Sequence, residues 1–89
     1  MILISYDIAN DKVRARFQRL ITKHGAIRLQ YSVYEVRNTN RVMDNMKALI
    51  EHFSKNFSFA DSVIIFSVDE DDLTKYGNAI HRDKNIVFL

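Results

Sequence analysis

The stretch "LISYDIANDKVRARFQR", residues 3–19, carries the residue types most able to do chemistry. A hydrophobic run ends on an acid, Asp7, and basic residues follow at once: Lys12, Arg14, Arg16 and Arg19. An acid at the C-terminal end of a central strand projects from the sheet edge and can ligate a hard cation such as Mg²⁺ or Mn²⁺, which take carboxylate oxygens. One carboxylate makes a poor site, but a two-fold dimer doubles every residue near its axis and brings a second copy of Asp7. The plainer reading is an acid complementing the positive end of the helix that follows. The planar fork of arginine suits phosphate, and phosphate contacts dominate nucleic-acid affinity. Arg14 and Arg16, with Lys12 on the same helix and Arg28 on the strand after it, are the candidate phosphate ligands. Asp11 is the only acid available to the helix's bases, so a polyanionic partner fits better than local charge pairing.

These residues need elements to position them. In "ILISYDI", residues 2–8, Ile2, Ile4, Tyr6 and Ile8 share one face while Leu3, Ser5 and Asp7 share the other, the pattern of a central strand. Asn10 is a good N-cap for a helix from Asp11 to His24, whose apolar stripe is Val13, Phe17, Leu20, Ile21 and His24. Gly25 ends it. On this stripe His24 is expected to pack rather than to catalyse. "AIRLQYSVYEVR", residues 26–37, is strand-like throughout. It is either one long kinked strand or two short strands meeting near Gln30–Ser32, with no Gly, Asn or Asp to mark a turn. Thr39 or a neighbouring Asn caps a second helix over about 40–55, with Val42, Met46, Leu49, Ile50 and Phe53 inward. "SVIIFSV", 62–68, is a further strand. An acidic turn with room for one helical turn follows over 69–77, its "DEDD", 69–72, expected to be a solvated turn, and "NIVFL", 85–89, is a short terminal strand.

The order is α+β, β-α-β-β-α-β with a short extra C-terminal strand: two β-α-β units on one sheet, the ferredoxin-like arrangement with both helices on one face. Residues 1–89 are expected to form a single domain. A chain of this length buries only about 60–65% of the surface its unfolded form exposes, so a modest core or an oligomer is expected. Ten aromatics (six Phe, four Tyr), no proline, two glycines and no cysteine describe a packed fold with short loops and neither disulfides nor thiolate metal sites. No apolar run approaches the length of a membrane span, and a soluble, cytoplasmic protein is expected. The net charge of +2 hides a segregation. Lys12 to Arg41 holds eight bases against Glu35 alone, and Asp61 to Asp72 holds five acids and no base. His24, His52 and His81 have no metal-ligand spacing, and neither a Gly-rich phosphate loop nor a nucleophile elbow is present.

Taken together, "SYDIANDKVRARFQRLITKHG" and "RLQYSVYEVR" resemble the small CRISPR-associated spacer-acquisition proteins, the Cas-two family of ferredoxin-like endonucleases. The combination is Tyr-Asp-Ile at a strand end, an Asp-Lys-x-Arg-x-Arg helix, a helix-ending Gly and then Gln-x-Ser-Val-Tyr-Glu. Asn10 departs from it where such proteins often have an acid. The resemblance implies a homodimer in which each C-terminal strand packs on the other protomer's sheet. It implies Tyr6 and Asp7 as the active-site strand, Asp7 from both protomers holding Mg²⁺ (or Mn²⁺), and Arg14, Arg16 and Arg28 as basic positions around the dimer cleft. Ser32 and Tyr34 match the neighbouring strand. Two roles are implied: a metal-dependent endonuclease on single-stranded RNA or duplex DNA, and a non-catalytic centre holding duplex protospacer DNA for the Cas-one integrase. The second is the expected biological function. The alternative is a metal-free ferredoxin-like RNA-binding or regulatory module, which would place base-stacking aromatics on an exposed sheet face.

Overall fold

The computed structural model describes residues 1–79, and the terminal strand expected at 85–89 lies outside the described residues. The elements run β1 (Ile2–Asp7), α1 (Asp11–Lys23), β2 (Ile27–Gln30), β3 (Val33–Val36), α2 (Asn40–Phe53) and β4 (Ser62–Ser67). Single 3₁₀ turns follow at Glu70–Asp72 and Gly77–Ala79. The sheet has four strands in the order β2-β3-β1-β4, each neighbouring pair antiparallel. This is the ferredoxin-like α+β arrangement that the alternation of strand and helix patterns predicts, with β1 central.

Both helices begin where side chains satisfy backbone amides that have no carbonyl partner within the helix. The Asn10 side chain accepts from the amides of Lys12 (2.9 Å) and Val13 (3.0 Å), and Thr39 Oγ1 accepts from that of Val42 at 3.3 Å. At the end of α1 the amide of Gly25 donates to Thr22 O at 3.2 Å and that of Ala26 to Ile21 O at 2.9 Å. This pair of bonds is the Schellman closure, and it needs the left-handed backbone that Gly25 adopts (φ 103°). His24 is the C-cap and is exposed, its ring nitrogen 2.8 Å from Leu20 O. The expectation that it packs in the core is therefore corrected: the helix ends at its own position, and the closing turn carries the ring outward.

One face of the sheet meets the helices. Ile2, Ile4 and Tyr6 of β1, Tyr34 and Val36 of β3, and Phe17, Ile21, Met46 and Ile50 of the helices form a buried core, with Val63 and Ile65 of β4 packed against it. Phe17 is its centre, fully buried, with ring centroids 5.0 Å from Tyr6, 5.5 Å from Phe53 and 6.2 Å from Phe57. The stripes expected on both helices are the ones that point inward, their margins (Val13, Leu20, Val42, Leu49, Phe53) half-buried.

The region 26–37 resolves into two strands. Tyr31 and Ser32 form the turn, with Ser32 left-handed at φ 67° and a β-bulge between Arg28 and Gln30. The Ser32 carbonyl accepts from the Tyr6 amide at 3.1 Å, which ties the turn to β1. That backbone bond holds a conformation that serine does not favour by itself.

The opposite face of the sheet carries Leu3, Ser5 and Asp7 of β1, Val33 and Glu35 of β3, and Ile64 and Phe66 of β4, as the strand registers require. The chain after β4 crosses part of this face. Leu73–Tyr76 lines a cleft of about 290 Å³ together with Leu3, Leu29, Gln30 and Val33. Glu35 is buried there at 1% exposure and pairs with Arg37 and with Lys75 Nζ at 3.0 Å. Arg37 Nη1 donates onward to Glu70 at 2.7 Å. Asp69, Glu70, Asp71 and Asp72 are exposed, as expected of a solvated turn, and the segment after them is the anchor, because a buried carboxylate must be paired and Lys75 with Arg37 pairs it.

Two stability outcomes follow. Space is open around Gly25, so Gly25→Ala strains only the backbone and is expected to cost about 1–2 kcal/mol in urea unfolding. Lys75→Met leaves the buried Glu35 with one cation fewer and is expected to cost about 1.5–3 kcal/mol. Adding Glu35→Leu to Lys75→Met should restore part of that loss. Simple additivity of the two single changes in that cycle would disprove the coupling.

Candidate nucleic-acid and metal site

The candidate residues gather where β1 ends and α1 begins. Asp7 is exposed and pairs in register with Ser62 of β4. Strand alternation separates it from Tyr6. Tyr6 points into the core, 5% exposed, with its hydroxyl accepting from Gln18 Nε2 at 2.7 Å and its ring 6.0 Å from that of Tyr34. Tyr34 is buried as well, and burial first, then the neighbouring Tyr6 phenol, pushes its hydroxyl to titrate above the usual range while Arg28 opposes this. The adjacent residues Tyr6 and Asp7 therefore serve opposite faces: the phenols position the strand, and only the carboxylate reaches solvent. Ser32, expected on the strand beside the site, lies in the turn that precedes it.

The basic residues divide into two groups. Arg14 faces inward along its own loop: Nη1 donates to Ile8 O at 2.9 Å, and Nη2 is bound to Asp11. The Asp11 contact, foremost, holds the Arg14 guanidinium more firmly protonated than usual. Arg14 thus fastens the β1–α1 loop, with one guanidinium nitrogen on a backbone carbonyl and the other on the Asp11 carboxylate. Lys12, Arg16 and Arg28 are exposed. The Arg16 guanidinium lies 5.7 Å over the Phe53 ring and that of Arg28 lies 5.8 Å over the Tyr31 ring. Each cation keeps its charge accessible while its plane rests on an aromatic face.

Two neighbours of the site have no motif in the sequence. Tyr31, 66% exposed, stands at the tip of the β2–β3 turn under Arg28. Asp61 joins the loops that flank Asp7: Oδ1 accepts from the Ala9 amide at 3.0 Å and Oδ2 from the Ser58 amide at 2.9 Å. These two backbone donors hold its carboxyl below the usual carboxylate range. The acid run between Asp61 and Asp72 was visible in the sequence, but which of its members closes a loop depends on the fold.

Asp7 offers oxygen donors of the kind Mg²⁺ takes. Among the described residues no group of three His, Cys, Asp or Glu side chains could hold a metal ion. At the other end of β1, a cleft of about 460 Å³ is lined by Met1, Asp44, Lys47, Asp69 and Asp72 and shares no residue with the candidate site. Among the described residues no helix is long and apolar enough to cross a membrane.

Comparison with known proteins agrees with this architecture. No curated protein matches the chain. Among solved structures, the crystal structure of a hypothetical protein from Thermus thermophilus is similar at a TM-score of 0.61 and 23% identity, covering 76% of this chain and 79% of that one, a likeness of fold. The family model described as CRISPR associated protein Cas2 matches residues 1–76, a span that includes β1 with Asp7, the basic helix, the β2–β3 hairpin and the anchoring segment as far as Tyr76. The chain belongs to the CRISPR-associated Cas2 family.

Proposed function

We propose that the protein acts as a homodimer that holds duplex protospacer DNA at the centre of a spacer-integration complex, with the Cas-one integrase as its partner. One observation carries the reading. Asp7 lies exposed on the same sheet face as Ile64 and Phe66, which are 54% and 47% exposed. An apolar sheet face of this kind is suited to burial against a second copy, and two-fold packing there repeats Asp7 on the partner. The cations of Lys12, Arg16 and Arg28 then follow the dimer's outer surface, where phosphates can reach them. They are the residues that grip the DNA backbone, and they do so without reading bases.

The paired Asp7 carboxylates would hold Mg²⁺ or Mn²⁺, which would supply charge neutralisation at a phosphate and an activated water for hydrolysis. Tyr6, with its hydroxyl on Gln18, keeps the strand end in place. Cleavage of RNA or DNA is then a secondary capacity of the dimer, and DNA holding its main one.

Asp7→Asn separates the two roles. It retains size and removes the charge that a cation requires. Mg²⁺-dependent cleavage should disappear, while duplex binding and partner-dependent spacer integration remain near wild type in a folded dimer. Loss of integration along with cleavage would overturn the holding role.

Duplex binding should weaken steeply with salt, log K falling by about 0.9 per phosphate contact for each decade of salt concentration. Lys12→Ala and Arg16→Ala should each reduce that slope by about one contact. Arg14→Ala should instead lower the melting temperature and leave the slope nearly unchanged, because its guanidinium binds its own loop. Titrations of binding against salt, with thermal melts of each variant, check both outcomes.

A further inference from the structure

Arg28 and Tyr31 stand three residues apart across the end of β2, and in an unbroken strand positions so spaced face opposite ways. The bulge changes this. Arg28 pairs with Tyr34 but Gln30 pairs with Val33, so Leu29 is an extra residue on β2. A bulge of this kind re-aims the side chains beside it. Leu29 goes into the cleft that Leu3 and Val33 line on the face opposite the helices, and the Arg28 guanidinium comes over the Tyr31 ring at 5.8 Å. The Tyr6 amide, donating to Ser32 O at 3.1 Å, fastens the same turn to β1. Tyr31 is thus a flat support held by its backbone, although its own side chain is exposed.

The support leaves the guanidinium open. Arg28 is exposed on β2, an edge strand, on the face that it shares with Tyr34 and opposite that of Ile64 and Phe66. Among the described residues no carboxylate pairs with it, whereas Arg14 and Arg37 are each tied to acids. Stacking occupies one flat face of the guanidinium, and its N–H donors lie in the plane, where they remain free for a phosphate. A long exposed side chain must otherwise be ordered when its ligand arrives, and that ordering costs part of the binding energy. The ring orders it beforehand.

We propose that Tyr31 is a positioning residue for phosphate binding: its ring, brought under Arg28 by the bulge at Leu29, holds the guanidinium ready for the DNA backbone. The proposal rests on the DNA-holding role and adds to it the means by which one of the gripping cations is preorganised. Tyr31 acts through Arg28 and touches no DNA itself. Without the bulge, the alternation of β2 would carry the ring to the other face and leave Arg28 unsupported.

The test measures binding of the full chain to a blunt DNA duplex over a range of salt, with a thermal melt of every variant. Tyr31→Leu removes the aromatic face and should weaken binding about two- to tenfold at each salt concentration. It should leave the salt slope unchanged, because the charge of Arg28 remains, whereas Arg28→Ala should reduce the slope by about one contact. Tyr31→Phe keeps the ring and should recover the binding that Tyr31→Leu loses. With Arg28 already replaced by alanine, Tyr31→Leu should cost nothing further, the coupling expected of a residue that acts through another. In the free protein the Arg28 side-chain NMR signals should carry the shift of a group above a ring, and Tyr31→Leu should abolish it. Additive losses from the two substitutions would overturn the proposal. So would a Tyr31→Leu that binds as tightly as wild type, or a Tyr31→Phe that binds as weakly as Tyr31→Leu. A melting temperature that falls in step with affinity would overturn it as well, and would make the ring a part of the fold alone. Wild-type protein that binds no duplex would refute the DNA-holding role itself, whereas wild-type binding that depends on Arg28 and not on Tyr31 refutes only the positioning.

Discussion

A strand paired on both edges has no freedom in its register, and β1 is such a strand. Its residues face Val33 to Val36 on one side and Ser62 to Ser67 on the other. A slip of one residue would expose Ile2, Ile4 and Tyr6 and bury Asp7. The hydrophobic requirement at Tyr6 and the solvent requirement at Asp7 are thus one constraint. The phenol fixed on Gln18 beneath α1 and the carboxylate at the surface are consequences of a single pleat.

The loops around that strand end are fastened by charged groups acting on backbone. Arg14 holds the carbonyl of Ile8, and Asp61 holds the amides of Ala9 and Ser58. A loop so short has few side chains with which to pack, and charge-assisted bonds to the main chain are the stronger means available. The cost is that a charge used in this way is withdrawn from the surface field. The basic helix meets solvent with Lys12, Arg16, Arg19 and Lys23, and less with Arg14.

Much of the architecture was legible in the sequence because it depends on local pattern. The alternation of Ile2, Ile4, Tyr6 and Ile8 defined β1 and its buried face, and Asn10 and Gly25 marked the ends of α1. What was not legible depends on distant partners. The Tyr31–Ser32 turn has no turn residue of its own, and it is kept by a bond from Tyr6. Arg14 and Arg16 look alike in sequence, yet one reaches carbonyls and the other an aromatic ring. Glu35 alternates onto the face opposite the helices, and nothing nearby in the chain reveals that Lys75 will cover it. The inward Tyr6 and outward Asp7 were legible too, because strand alternation alone puts them on opposite faces.

The ion pairs on Glu35 also bear on the time course of folding. Lys75 is 40 residues along the chain from its partner. Contacts of such separation carry a large loop-closure cost, and the segment bearing Lys75 has no surface to lie on until β1 and β3 have joined. An interaction made so late is absent from the folding transition state, so its strength acts on the rate of unfolding and scarcely on the rate of folding. The buried carboxylate thereby works as a brake on unfolding. It lengthens the lifetime of the closed sheet.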